Sequence, residues 1–326
     1  MNAPAPGPIG LADIEAAARR ITRRVARTPL VPSQSLSRPG APVHLKFETR
    51  QPTGSFKLRG ASNAVAMLGE KARAAGLVTA STGNHGRAVA QAARDHGVRA
   101  VVCMSQLVPA NKVEAVAALG AEVRIIGRSQ DEAQREVDRL VREEGLTEIP
   151  PFDHAGVIAG QGTIGLEIVA DLPGVAAVLI PLSGGGLAAG VAAAVKALRP
   201  KARVIGISMA RGAAMQASLA AGHPVEVEEQ DTLADSLGGG IGLSNRYTFA
   251  MCRALLDEVV LVEDAEIAAG IRHAFLSEGE VVEGAGAVGI AALLAGKITP
   301  VGATAIVVSG HNIDGARHRR IVAEAA

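Results

Sequence analysis

An α/β fold of two doubly wound lobes with parallel sheets is predicted by three features of the 326-residue chain. Short aliphatic runs alternate with stretches of helical periodicity, the pattern of parallel strands covered by helices. Hydrophobic residues make up 48% of the chain but aromatics only 2%, so the core must be built from Ala, Val, Leu and Ile, as where helices pack on parallel strands. Several of the runs end in polar, glycine-bearing loops, and doubly wound folds bind ligands at the carboxyl ends of their strands.

Residues 1–10 read as a disordered tail, since Met1-Asn2-Ala3-Pro4-Ala5-Pro6-Gly7-Pro8 has neither the charged start nor the apolar middle of a signal peptide. Leu11 to Val25 reads as an amphipathic helix that stops before Thr28-Pro29. Val43 to Glu48 alternates as a short strand, and Ser55 to Leu68 is a helix with Lys57 in its first turn. Regular βα units follow. Strands are expected at Leu77–Ala80, Ala100–Met104 and Glu122–Ile126, with helices at Asn84–His96, Pro109–Leu119 and Ser129–Glu144. The charges of Asp131 to Glu144 form a solvated face. In the second half Gly162–Ala170 is helical, Ala177–Ile180 is a buried strand, Leu187–Leu198 a helix, and Arg203–Ile207 and Ala303–Val308 are strands.

The 33 basic and 32 acidic residues leave a formal charge of +1, which gives no footprint for nucleic acid or an anionic membrane. No apolar run approaches the ~20 residues that span a bilayer, so a cytoplasmic protein is expected. Cys103 and Cys252 lie in apolar sequence without metal-type spacing and read as buried free thiols.

Chemistry concentrates in Thr53-Gly54-Ser55-Phe56-Lys57-Leu58-Arg59-Gly60-Ala61 and in Ser81-Thr82-Gly83-Asn84-His85-Gly86, one βα unit later. Lysine forms Schiff bases with carbonyl cofactors, and desolvation lowers its pKa enough to make it nucleophilic. Ser183-Gly184-Gly185-Gly186-Leu187 lies between a strand and a helix, where peptide N–H groups and the helix dipole favour a phosphate. Alone it reads equally as a tight turn, and it is neither a dinucleotide fingerprint nor a Walker loop. An amine nucleophile and a phosphate cradle are together the two attachment points of pyridoxal 5′-phosphate.

These segments, with Val157-Ile158-Ala159-Gly160-Gln161-Gly162-Thr163 and Ser309-Gly310-His311-Asn312, occur in an order that resembles the fold-type II pyridoxal-phosphate enzymes. The likeness is to the threonine/serine dehydratase and serine racemase group, on a fold of the tryptophan synthase β type. It covers nearly the whole chain after residue 10. It implies a large lobe from residues 11–65 and 152–326, a small lobe inserted at 66–151, and a homodimer acting on a small amino acid. It implies that Lys57 holds the cofactor and afterwards abstracts the Cα proton, with Phe56 beside the ring and Asn84 on its phenolic oxygen. Ser183, Gly184, Gly185, Gly186 and Leu187 would cradle the phosphate, Ser309 would face the pyridine nitrogen, and Glu283 matches an acid near the cofactor edge. Ser81, Thr82 and His85 would line the loop that receives the substrate carboxylate. A hydroxyl at Ser309 cannot hold the ring nitrogen protonated as a carboxylate would, which favours loss of water from Cβ of a 3-hydroxy amino acid.

The chain departs from the pattern in several places. Ser183 stands where a glycine is usual, and Thr82 replaces the serine of the opposite ring face, which leaves racemisation open. His311 replaces a glycine beside the ring and is a candidate for substrate selection, or a packing substitution. Ser208-Met209-Ala210-Arg211-Gly212-Ala213-Ala214 lacks the acids of the family's divalent site, so no metal is expected there. No regulatory C-terminal extension is expected either. Ser208–Met215 and Thr232–Gly242 resemble the dehydratases of hydroxyectoine utilisation, whose implied substrate is a hydroxylated diaminobutyrate. Asp153-His154 suggests a dyad but reads as structural, and Glu283 reads equally as a helix cap. The rival readings are a racemase on the same scaffold and a non-catalytic phosphometabolite-binding protein.

Overall fold

The computed structural model describes residues 7, 9–81, 83–108 and 110–324. Its elements run α1 (Leu11–Ile21), β1 (Leu30–Arg38), β2 (Ala41–Phe47), α2 (Lys57–Ala66), α3 (Glu70–Ala75), β3 (Leu77–Ala80), α4 (Asn84–His96) and β4 (Ala100–Met104). There follow α5 (Ala110–Ala117), β5 (Glu122–Ile125), α6 (Gln130–Glu144), β6 (Thr147–Glu148), α7 (Ala155–Asp171), β7 (Ala177–Pro181), α8 (Gly186–Leu198) and β8 (Arg203–Met209). The chain ends with α9 (Ala214–Ala221), α10 (Thr248–Leu255), β9 (Glu258–Val262), α11 (Asp264–Leu276), α12 (Gly284–Leu294), β10 (Thr304–Val308) and α13 (Gly315–Ala323).

Two sheets result, one in the order β1-β2-β10-β7-β8-β9 and one in the order β5-β4-β3-β6. All pairings are parallel except that of β1 with β2. That antiparallel edge was not legible in the sequence. Pro32 and the Ser-rich run after it break the strand pattern, and the register shifts between Ser33 and Arg38.

Strand alternation distributes the aliphatic core. Val178 and Ile180 of β7 face the layer of α1, α7 and α8, while Ala177 and Leu179 face that of α11 and α12. Val102 and Met104 of β4 likewise face α2 and α4, and Val101 and Cys103 face α6. Strands β3, β4, β7 and β10 are buried at every position, as expected for strands covered on both faces. Cys103 and Cys252 are both buried and free.

Helix boundaries follow local chemistry where it is strong. Ser129 accepts from the Glu132 N–H and closes a capping box at the start of α6, while α4 and α6 end on left-handed Gly97 and Gly145. Helix α7 is longer than the expected Gly162–Ala170, because burial of its glycine-rich face overrides the poor helix propensity of those glycines. Helix α1 ends at Ile21 rather than Val25.

Adjacent strands β2, β10 and β7 leave the sheet at one edge, and their loops lead to Lys57, to Ser309–Asn312 and to the glycine run before α8. The site is therefore a product of strand order.

Candidate active site

Lys57 is the first residue of α2, and its loop is laced to the loop after β10. The Phe56 N–H donates to the Ser309 carbonyl at 3.0 Å, the His311 N–H donates to Gly54 at 3.0 Å, and Ser55 and Gly310 form a bridge. Two residues on, the buried Arg59 guanidinium donates to both Glu48 oxygens at 2.8 Å and to Glu167 at 2.7 and 2.9 Å. Lys46 joins the network through Glu167. Burial opposes the charge of Arg59, but the two carboxylates more than offset it and hold the guanidinium more firmly protonated than usual. This network clamps β2, α2 and α7 together directly behind the Lys57 turn.

The Lys57 amine is half-buried and donates to the Pro151 carbonyl at 2.8 Å. Desolvation pushes it down to about 8, with the Glu283 carboxyl acting in the opposite sense. The Phe56 ring lies 5.4 Å from Nζ. In the same loop the hydroxyls of Thr53 and Ser55 are buried without a partner.

The glycine run before α8 leaves no room for side chains. A Cβ on Gly184 would overlap the Phe152 ring, and one on Gly186 would lie 2.9 Å from Phe152 Cα. Gly185 has φ +89° and packs against Met215 and Cys252. Among the described residues, the peptide N–H groups from Ser183 to Leu187 have no acceptor. They open helix α8 and can cradle an anion.

The third wall is the start of α4. Ser81 Oγ accepts from the Gly86 N–H at 2.9 Å and fixes the turn; Thr82 lies outside the described residues. His85 is buried and bonds the Ile149 carbonyl through Nε2 at 2.8 Å, with Nδ1 unpartnered. Burial pushes its imidazole down to about 3, and the Lys57 charge acts in the same sense, so the ring is neutral and Nε2 is the donor. Asn84 Nδ2 donates to Glu283 Oε1 at 2.7 Å. Glu283 precedes α12 and is buried; desolvation first and Asp235 second push its carboxyl up to about 7.

The chain thus brings Lys57, Phe56, Ser309, Asn84 and Glu283 together through these contacts, with Ser81 and His85 on the same turn as Asn84. His311 is exposed at the rim, its ring filling the space where Gly54 has no side chain. Asp153 caps the loop before α10 by accepting from the N–H groups of residues 246–248, and its neighbour His154 precedes α7. After β8, Arg211 lines a cavity of about 520 Å³ with Asp231, Asp264 and Arg317.

Sequence reasoning missed three groups: the Pro151 carbonyl, Phe152 beneath the glycine run, and Arg87. The Pro150-Pro151-Phe152 run was the available signal for the first two, a stiff segment just before a glycine-rich helix.

A half-buried amine of lowered pKa, unpaired peptide N–H groups at a helix start and orphaned hydroxyls fit an aldehyde cofactor bearing a phosphate. A family model described as "Pyridoxal-phosphate dependent enzyme" matches residues 21–310. The chain belongs to that family. This pyridoxal-phosphate enzyme is 62% identical over 316 residues to a Sinorhizobium fredii protein called "Putative threonine dehydratase", covering 96% of this chain and 95% of that one. It is 42% identical to the L-threonine ammonia-lyase of Thermotoga maritima, over 94% of this chain and 76% of the relative. Among solved structures, maize serine racemase superposes with TM-score 0.91 at 33% identity, covering 96% of this chain and 97% of the other. Among the described residues no helix is long and apolar enough to cross a membrane.

Proposed function

We propose that this enzyme is an ammonia-lyase of the threonine dehydratase kind, which eliminates water from a small 3-hydroxy amino acid to give a 2-oxo acid and ammonia. The observation that carries the reading is the amine of Lys57, half-buried and laced to the Ser309 loop, beside a helix start whose peptide N–H groups are unpaired. Lys57 would hold pyridoxal phosphate by its aldehyde, Ser183 to Leu187 its phosphate, Asn84 its phenolic oxygen, Ser309 its ring nitrogen and Phe56 its flank. When bound, the cofactor supplies a sink for the electron pair left at Cα.

The protein's own groups do the rest. The Lys57 amine takes the Cα proton, because an amine of pKa about 8 is partly neutral near pH 7. The 81–85 turn receives the substrate carboxylate through Ser81, Thr82 and its peptide N–H groups, while His85 anchors it from behind. Ser309, a hydroxyl, favours departure of the Cβ oxygen as water over prolonged storage of charge. The released enamine hydrolyses in solution.

Release of 2-oxo acid and ammonia from a panel of 3-hydroxy amino acids tests this directly. Lys57→Ala should abolish it; full activity in that variant would end the reading. A second reading, racemisation, is favoured by the likeness to maize serine racemase. It assigns Thr82 the proton on the face opposite Lys57, and Thr82→Ala should remove chiral inversion while sparing elimination.

We further read residues 66–151 as a small lobe inserted into a large one formed by 11–65 and 152–326, since the whole four-stranded sheet lies within 77–148. A cytoplasmic homodimer is the expected setting. For the substrate beyond Cβ, the resemblance of Ser208–Met215 and Thr232–Gly242 to hydroxyectoine utilisation dehydratases implies 3-hydroxy-2,4-diaminobutyrate. The charges at the rim of the cleft favour an anionic side chain instead.

A further inference from the structure

Arg87 sits on the first turn of α4, three residues after Asn84, and is half-buried. Its NH1 donates to Asn312 Oδ1 at 2.7 Å. The Asn312 amide has one orientation available, because its Nδ2 already donates to the Thr53 carbonyl at 2.9 Å and to Asn84 Oδ1 at 2.5 Å. Asn312 therefore aims the guanidinium across the cleft between α4 and the loop after β10. That loop also carries His311 at the rim.

Arg87 forms no salt bridge among the described residues, although the buried Glu283 carboxyl lies near enough to favour its charge. Glu280 is paired with Arg50, Asp235 lies 3.6 Å from Lys112, and Glu283 is held by Asn84. Arg59, the deeply buried arginine, bonds two carboxylates directly, whereas the one side-chain hydrogen bond of Arg87 among the described residues goes to a neutral amide oxygen. A half-buried guanidinium gains from a direct anionic partner, and its remaining N–H groups match a carboxylate in bidentate geometry.

On the lyase reading, we propose that Arg87, with His311 at the rim, is the receptor for a second carboxylate carried on Cβ of the substrate. The favoured substrate is then a 3-hydroxy dicarboxylic amino acid of the 3-hydroxyaspartate class. A substrate bearing a side-chain ammonium meets an uncompensated positive charge at the same place.

The test compares holoenzyme and Arg87→Gln for kcat/KM on 3-hydroxyaspartate, serine and 3-hydroxy-2,4-diaminobutyrate. The native enzyme should prefer the dicarboxylate. Arg87→Gln should cut the 3-hydroxyaspartate-to-serine ratio on the order of 100-fold, mostly through KM. Arg87→Lys should keep part of that ratio, since the charge remains and the fork is lost. Calorimetric titration of the holoenzyme with succinate and with propionate gives a readout free of turnover, and the preference for succinate should disappear in Arg87→Gln. An unchanged substrate ratio in the variant, or a native preference for 3-hydroxy-2,4-diaminobutyrate, overturns the proposal. If no 3-hydroxy amino acid yields a 2-oxo acid, the lyase reading itself fails, and equal binding of succinate and propionate rejects the Arg87 receptor independently.

Discussion

Asn84, at the start of α4, donates to Glu283, just before α12, across 2.7 Å, and so ties the four-stranded sheet to the six-stranded one. The bond holds a buried carboxyl whose proton is retained to about pH 7, chiefly because burial penalises its charged form. The folded pKa is raised, so this group's contribution to stability is fully present below its unfolded value near 4.5 and is lost as pH rises through 7. Glu283→Gln in the cofactor-free protein should therefore remove a stability loss of roughly 3 kcal/mol between pH 5 and 8. Melting temperatures of the two proteins across that range decide it; parallel curves would sink the assignment.

Lys57 titrates in the opposite sense. Its folded pKa is lowered to about 8, so the unfolded chain binds the extra proton between pH 8 and 10.5, and stability rises with pH through that window. Only the neutral amine can attack an aldehyde. The rate at which cofactor-free protein takes up pyridoxal phosphate should climb about tenfold per pH unit below 8 and level off above it. Absorbance after rapid mixing reports that rate, and a midpoint near 10 would mean that the amine is not desolvated.

Much of this was legible in the sequence because parallel strands buried on both faces are short, aliphatic and bounded by glycine. Leu77–Ala80, Asn84–His96 and Ala100–Met104 fall where the pattern placed them, and the match to pyridoxal-phosphate enzymes supplied the cofactor. The antiparallel edge β1 was hidden by its proline and serines, and the first half of α7 by glycines that serve packing. Arg87 was passed over for a different reason. It follows directly after a motif that explained itself, and its significance rests on a guanidinium without a direct carboxylate partner among the described residues, which only the fold exposes.

Gly184 and Phe152 share one space, so the conformation of the glycine run proposed to hold the phosphate depends on the Phe152 ring. Gly184→Ala forces a methyl into the Phe152 ring and should weaken cofactor binding on the order of 100-fold. Shrinking the ring in Gly184→Ala/Phe152→Leu should restore part of that affinity. Equilibrium dialysis against pyridoxal phosphate measures both, and equal affinity in native protein and single variant would show that the loop yields freely.

The ion network behind Lys57 offers a last separation of stability from chemistry. Arg59, Glu48 and Lys46 are fully buried and Glu167 nearly so, which makes each charge tolerable only while its partners remain. Arg59→Leu strands Glu48 and leaves Glu167 with Lys46 alone, and should cost about 3–5 kcal/mol, read as a lower midpoint of urea unfolding. Replacing Arg59 and Glu48 together by Leu and Met should recover much of that loss, because Lys46 and Glu167 then remain as a pair and neither charge is stranded. If the double variant is as unstable as Arg59→Leu, the network stabilises by geometry rather than by mutual neutralisation. A double variant that folds yet takes up pyridoxal phosphate slowly would show that the clamp also holds Lys57 in place.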